Sequence, residues 1–89
     1  MIVKYDHSFS KSIDKLKSRE IQEHILLFIQ NCKTAKNLQE IKHIKKLKGY
    51  RVFYRYSFGS YRIGFELTDP NTILLIKVMH RKDIYRYFP

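Results

Sequence analysis

The chain is predicted to fold as an α+β domain: an N-terminal strand, a helix hairpin, an antiparallel β-meander forming a small four-stranded sheet, and a short C-terminal helical tail. Three observations carry this. Apolar residues recur at helical spacing between Phe9 and Cys32. Residues 50–57, 60–68 and 72–80 are rich in aromatic and β-branched side chains. The breaks between them, Phe58-Gly59 and Asp69-Pro70-Asn71, are short enough to be hairpin turns. A length of 89 residues fits one domain, residues 1–89. A chain this short buries roughly 60 to 65% of its unfolded surface, so a bound partner adds usefully to its stability.

In chain order, residues 1–5 alternate weakly and read as a first strand, ended by Asp6, a helix-capping residue. The first helix carries Phe9, Ile13 and Leu16 on one face. Ser18 caps a second, longer helix with Glu20 near its positive end and Ile21, Ile25, Phe28, Ile29 and Cys32 on its apolar side. Cys32 is therefore read as core packing. Residues 33–40 form a polar connection, with one helical turn around Leu38 and Ile41. The last strand is apolar on both faces except for Lys77, which marks it as central.

Charge and cysteine usage narrow the function. Cys32 is the single cysteine, which excludes an internal disulfide framework, and no apolar run is long enough to span a membrane. Residues 1–5 lack the apolar core of a secretory signal, so a reducing cytoplasm is expected. The formal charge is +10, and residues 42–89 hold eleven Lys/Arg against three Asp/Glu where residues 1–41 hold seven against five. With aromatic residues between the charges, an anionic partner is expected. His7, His24, His43 and His80 have no ligand-like spacing, so no metal or cofactor is expected.

A turn at Phe58-Gly59 would set Arg55 opposite Arg62, Phe53 opposite Gly64 and Arg51 opposite Glu66. One sheet face would then hold Val52, Tyr54, Tyr56, Tyr61, Ile63 and Phe65 for packing, and the other Arg51, Phe53, Arg55 and Arg62 around Gly64. Opposed arginines repel, and an anion between them reverses the sign of that interaction. Gly64 would leave room for a ligand and Phe53 would offer a stacking surface. His80 and Arg81 emerge at the end of the last strand, where a histidine suits proton transfer near neutral pH. Tyr85 and Tyr87 suit packing as well as chemistry.

The chain resembles the RelE/ParE family of toxins from bacterial and archaeal toxin–antitoxin pairs. The resemblance covers nearly the whole chain. It rests on the order and spacing of Ile44-Lys45-Lys46-Leu47-Lys48-Gly49, of Tyr54-Arg55 through Gly59-Ser60-Tyr61-Arg62-Ile63, and of Val78-Met79-His80-Arg81-Lys82-Asp83-Ile84-Tyr85. In the RelE branch it implies an endoribonuclease that cuts messenger RNA in the ribosomal A site by attack of a ribose 2′-hydroxyl on the adjacent phosphate. That reaction needs a base, cations for the added negative charge, and a proton for the leaving oxygen. The resemblance assigns charge stabilisation to Arg55 and Arg62, the leaving oxygen to Arg81, and RNA orientation or proton transfer to Tyr85. Lys45, Lys46 and Lys48 would hold RNA backbone, with Arg51 and Phe53 beside them. Where ribosome-dependent members carry a second basic residue two positions after the first, this chain has Ser57 after Arg55, and His80 is the substitute base.

The same family contains the ParE branch, whose members inhibit DNA gyrase by binding and need no RNA-cleaving site. A third reading is a non-toxic relative that only binds nucleic acid. For a toxin, the resemblance implies a cognate antitoxin, small and acidic in its toxin-binding part, laid over the basic face and a groove beside the helices.

Overall fold

A computed structural model describes residues 1–89. Its elements are β1 (Ile2–Tyr5), α1 (His7–Asp14), α2 (Arg19–Thr34), a 3₁₀ turn (Leu38–Glu40), β2 (Ile44–Lys46), β3 (Phe53–Phe58), β4 (Tyr61–Asp69), β5 (Thr72–His80) and α3 (Ile84–Tyr87). Both long helices begin at side-chain caps. The Asp6 carboxylate accepts from the Ser8 N–H at 2.9 Å, and the Ser18 hydroxyl accepts from the Ile21 N–H at 3.3 Å. The single proton of the Ser8 hydroxyl is shared between the Asp6 carboxylate and the Ile76 carbonyl, 2.7 Å away, which ties the start of α1 to β5.

Hydrogen bonds from the Ser8 side chain and backbone hold the Asp6 carboxyl below the ordinary carboxylate range. Its folded pKa thus lies below its unfolded one, so the stability it contributes is present above the unfolded value and is lost as pH falls through the folded value. Asp6→Asn is expected to lower the thermal midpoint at neutral pH. The deficit against wild type should begin to shrink as pH falls through about 4 and vanish only below the depressed folded value, a trend that melting curves across pH would check.

The sheet has five strands in the order β1-β5-β4-β3-β2. This corrects the four-stranded expectation. Ile44–Lys46 pairs antiparallel with β3 as an edge strand, Lys45 lying opposite Arg55. Three residues of which two are lysines carry almost no strand signal, but charged, short strands suit a sheet edge. β3, β4 and β5 form the expected antiparallel meander, while β1 joins β5 in parallel.

α1 and α2 cover one face of this sheet. Between the layers lies a core of Phe9, Ile25, Phe28, Ile63, Phe65, Ile73, Leu75 and neighbouring residues, with Cys32 fully buried among them. Burial pushes the Cys32 thiol up to about 12. Cys32 is therefore expected to resist thiol reagents in the native protein and to react only after unfolding, as a mass-detected alkylation time course would report.

On the opposite face a second, smaller cluster forms from Leu47, Ile84 and Phe88, packed with Phe53, Ile76 and Met79. The C-terminal tail is thus folded back over the sheet. A Cβ added to Gly64 would lie 2.6 to 2.7 Å from atoms of the Phe88 ring. Phe88 also meets Phe53 edge-on, with centroids 5.7 Å apart. The space above Gly64 is accordingly filled by the chain's own tail, which corrects the expectation of a ligand cradle there. No helix is long and apolar enough to cross a membrane.

Candidate nucleic-acid interface

The hairpin register differs from the expected one by two residues. Tyr61 pairs with Phe58, Arg62 with Ser57, Gly64 with Arg55 and Glu66 with Phe53. The turn is Gly59-Ser60, with Gly59 at φ 53, the left-handed corner that a two-residue hairpin takes at its first position. Phe58 decides this. In the turn its ring would face water. In the strand it is 9% exposed and stacks on His24 with centroids 4.5 Å apart. Burying such a ring stabilises by roughly 1.5–3 kcal/mol.

A shift of two keeps side-chain parity, so residues 53–57 and 61–65 stay on their expected faces while their pairing changes. Val52, expected to pack, precedes β3 and is exposed, and Phe58 packs in its place. Arg55 and Arg62 still share the face opposite the helices, but as diagonal rather than direct neighbours. Ser57 sits between them and accepts a hydrogen bond from the Arg55 guanidinium. The Arg62 guanidinium donates to the Gly59 and Tyr61 carbonyls at 3.0 and 2.8 Å, which draws it toward the turn. Arg81 reaches the same end of the sheet, its backbone N–H donating to the Ser60 carbonyl at 2.7 Å. Arg51 precedes β3 and is exposed, so it does not pair with Glu66.

Beside Arg55 opens a groove of about 550 Å³ whose lining includes Lys45, Lys46, Lys48, Tyr50 and Tyr85. β2 supplies the first two lysines, the loop after it supplies Lys48 and Tyr50, and α3 holds Tyr85 over the other wall. Sequence reasoning had no means of finding this groove, because its walls come from residues some 40 positions apart. The charges in it are uncompensated: the chain's one ion pair joins Arg19 and Glu23 at 4.0 Å on α2. Glu66, opposite Phe53, pairs with none of the arginines.

Two expected members lie elsewhere. Phe53 is half-buried beneath the tail, edge-on to both Tyr50 and Phe88. His80 pairs with Tyr61 across β4 and β5 on the helix side of the sheet, away from Arg55 and Arg62. Its Nδ1 accepts from the Lys82 N–H at 3.1 Å. The arrangement gathers cations and a phenol around a groove whose lining includes no Asp or Glu side chain, which suits it to a phosphodiester strand.

A family model described as the ParE toxin of the type II toxin-antitoxin system, parDE, matches residues 3–85. The chain belongs to the RelE/ParE family. It is similar to Toxin RelE3 of Methanocaldococcus jannaschii, 46% identical over 70 residues that make up 78% of each chain. Among solved structures it is similar to the toxin in the RelB-RelE antitoxin-toxin complex from Methanococcus jannaschii. That match has 38% identity and a TM-score of 0.81, covering 97% of this chain and 99% of that one. The isolated E. coli RelE toxin shares the fold, with 16% identity, a TM-score of 0.64 and 98% of each chain covered. This family membership agrees with the resemblance drawn from the three motifs, whose cations Arg55 and Arg62 lie on the face opposite the helices, while Tyr54, Ile63 and Val78 pack on the helix side.

Proposed function

We propose that the chain is the toxin of a type II toxin–antitoxin pair and a ribosome-dependent messenger RNA endoribonuclease acting in the cytoplasm. The observation that carries this is the convergence of Lys45, Lys46, Lys48, Arg55 and Tyr85 on one groove, next to a sheet end that bears Arg62 and Arg81. The lysines hold the RNA backbone as point charges. The arginines present planar forks that fit phosphate oxygens in pairs. As the 2′-hydroxyl oxygen bonds to phosphorus, its proton passes to a base and the phosphoryl oxygens gain charge, which Arg55 and Arg62 stabilise. The bond to the 5′-oxygen then breaks, and Arg81 neutralises that oxygen while it takes up a proton. Tyr85, exposed on α3, orients the RNA or relays a proton. His80 would have to act from beyond the sheet end to serve as the base.

A cognate antitoxin restrains the toxin in this reading. The RelB-RelE complexes of relatives support it. So does the apolar strip that includes Ile13, Ile25, Leu26 and Ile29 between the two helices, where Leu26 is 61% exposed. An acidic partner would also screen the basic face.

Inhibition of gyrase by binding alone is the second reading, favoured by the ParE description of the family model and by Ser57, which occupies Arg55 instead of supplying a second cation. Primer extension on a defined messenger RNA in a purified translation system separates the two. Cuts within A-site codons are expected only when ribosomes are present. Intact messenger RNA despite cellular toxicity would transfer the assignment to gyrase.

A further inference from the structure

A second cationic groove lies on the other side of the tail, outside the site described above. Lys11 and Lys15 stand one turn apart at the C-terminal end of α1, about 6 Å along its axis. They share a groove of about 580 Å³ with Lys77 and His80 of β5, Tyr61 of β4 and Tyr87 of α3. Three ammonium groups line it against one carboxylate, that of Asp83, and none of the three makes an ion pair. The nearby Asp6 feels the charge of Lys77, but its oxygens are engaged in capping α1 through Ser8. Like charges four residues apart on a helix oppose each other, so the groove is built at a cost that an anion would remove.

We propose that this groove binds the sugar–phosphate backbone of single-stranded RNA. Successive lysines on one helical face can follow successive phosphates, and the exposed Tyr87 adds a ring face on which bases stack whatever their sequence. The groove also adjoins the first site. Met79 lines it and is the cross-strand neighbour of Arg62, so a strand lying over the turn end of the sheet runs on into it. An acidic protein segment fits less well, because helices and strands dock through apolar anchors, and the exposed apolar side chains Leu26 and Leu27 lie on α2 instead. The inference rests on the proposed RNA chemistry only for the course of the strand. Binding itself does not require cleavage.

Its test uses a fluorescent 2′-O-methyl oligouridylate of about 12 nucleotides, which has no free 2′-hydroxyl to attack. Anisotropy titrations from about 50 to 200 mM salt would compare the wild type with Lys11→Gln/Lys15→Gln and with Lys77→Gln. The double variant is expected to bind about tenfold more weakly at low salt and to flatten the log-log salt slope by about 1.4, since each phosphate contact on a single strand contributes about 0.7. Lys77→Gln should flatten it by about half as much. Lys11→Arg/Lys15→Arg should keep the wild-type slope. Variants that melt like the wild type yet bind with its affinity and slope would overturn the proposal. So would weakened binding to a polyglutamate peptide with RNA binding unchanged. A wild type that binds this RNA with the expected lysine dependence but cuts no messenger RNA would sink the proposed function and leave the groove assignment standing.

Discussion

Arg62→Ala is expected to lower cleavage of ribosome-bound messenger RNA by about 10²- to 10³-fold, the usual loss when one preorganised donor to a charge-developing transition state is removed. Growth arrest should disappear with it. The fold should persist, because the two hydrogen bonds that Arg62 gives to Gly59 and Tyr61 are local to the turn, and such bonds contribute net stability of only about 0.5–1.5 kcal/mol each. Arg62→Lys keeps the charge but loses the planar fork, so its activity should fall between the two. Arg81→Ala should abolish arrest as well, since the contact that anchors Arg81 to Ser60 is made by its backbone and survives the substitution. Single-turnover cleavage rates, with circular dichroism as the check on folding, measure all three. Unchanged arrest in both alanine variants would sink the site assignment.

Gly64→Ala is expected to dislodge the C-terminal tail. The new methyl group would stand 2.6 to 2.7 Å from three atoms of the Phe88 ring, and central-strand backbone yields less readily than a four-residue helix held by a few hydrogen bonds. Losing the burial of Phe88 should cost roughly 1.5–3 kcal/mol, visible as a lower urea midpoint. Phe88→Ala should cost about 3–5 kcal/mol on the usual scale for buried phenylalanines. Because both changes act through one contact, the double variant should be no less stable than Phe88→Ala alone. Tyr85 rides on the same helix, so Gly64→Ala should also reduce cleavage. Wild-type stability, together with unchanged protection of the Phe88 amide in hydrogen exchange, would show that the tail does not depend on the missing side chain.

These two substitutions mark different kinds of legibility. The role of Arg62 as an outward-facing cation follows from alternation alone, which assigns each strand residue to a face and survives an error of two in the register. Its partner across the hairpin does not follow. Whether Arg62 faces Arg55 or Ser57 depends on whether Phe58 turns or packs, and that is decided by His24, which lies 34 residues earlier and supplies the ring it stacks on. Gly64 illustrates the reverse case. A glycine in a strand announces a close approach, but the approaching group is Phe88 rather than a ligand, and nothing near either residue in the chain indicates it.

The helices were legible because their apolar stripe, capped by Asp6 and Ser18, is a local pattern with a period of its own. β2 was not, because two lysines in three residues give no alternation to read and its strand character comes from pairing with β3. The lysines that this edge adds to the groove were recognisable as basic, yet their company with Tyr85 was not. Sequence by itself determined the class of fold, the two faces of the hairpin, the buried Cys32 and the uneven charge of the chain, all of which depend on periodicity and composition over short windows. Tertiary structure alone decided the register, the fifth strand, the tail folded over Gly64 and the separation of His80 from the arginines. Each of these is set by a contact between distant segments, whose energy is absent until the chain has closed around it.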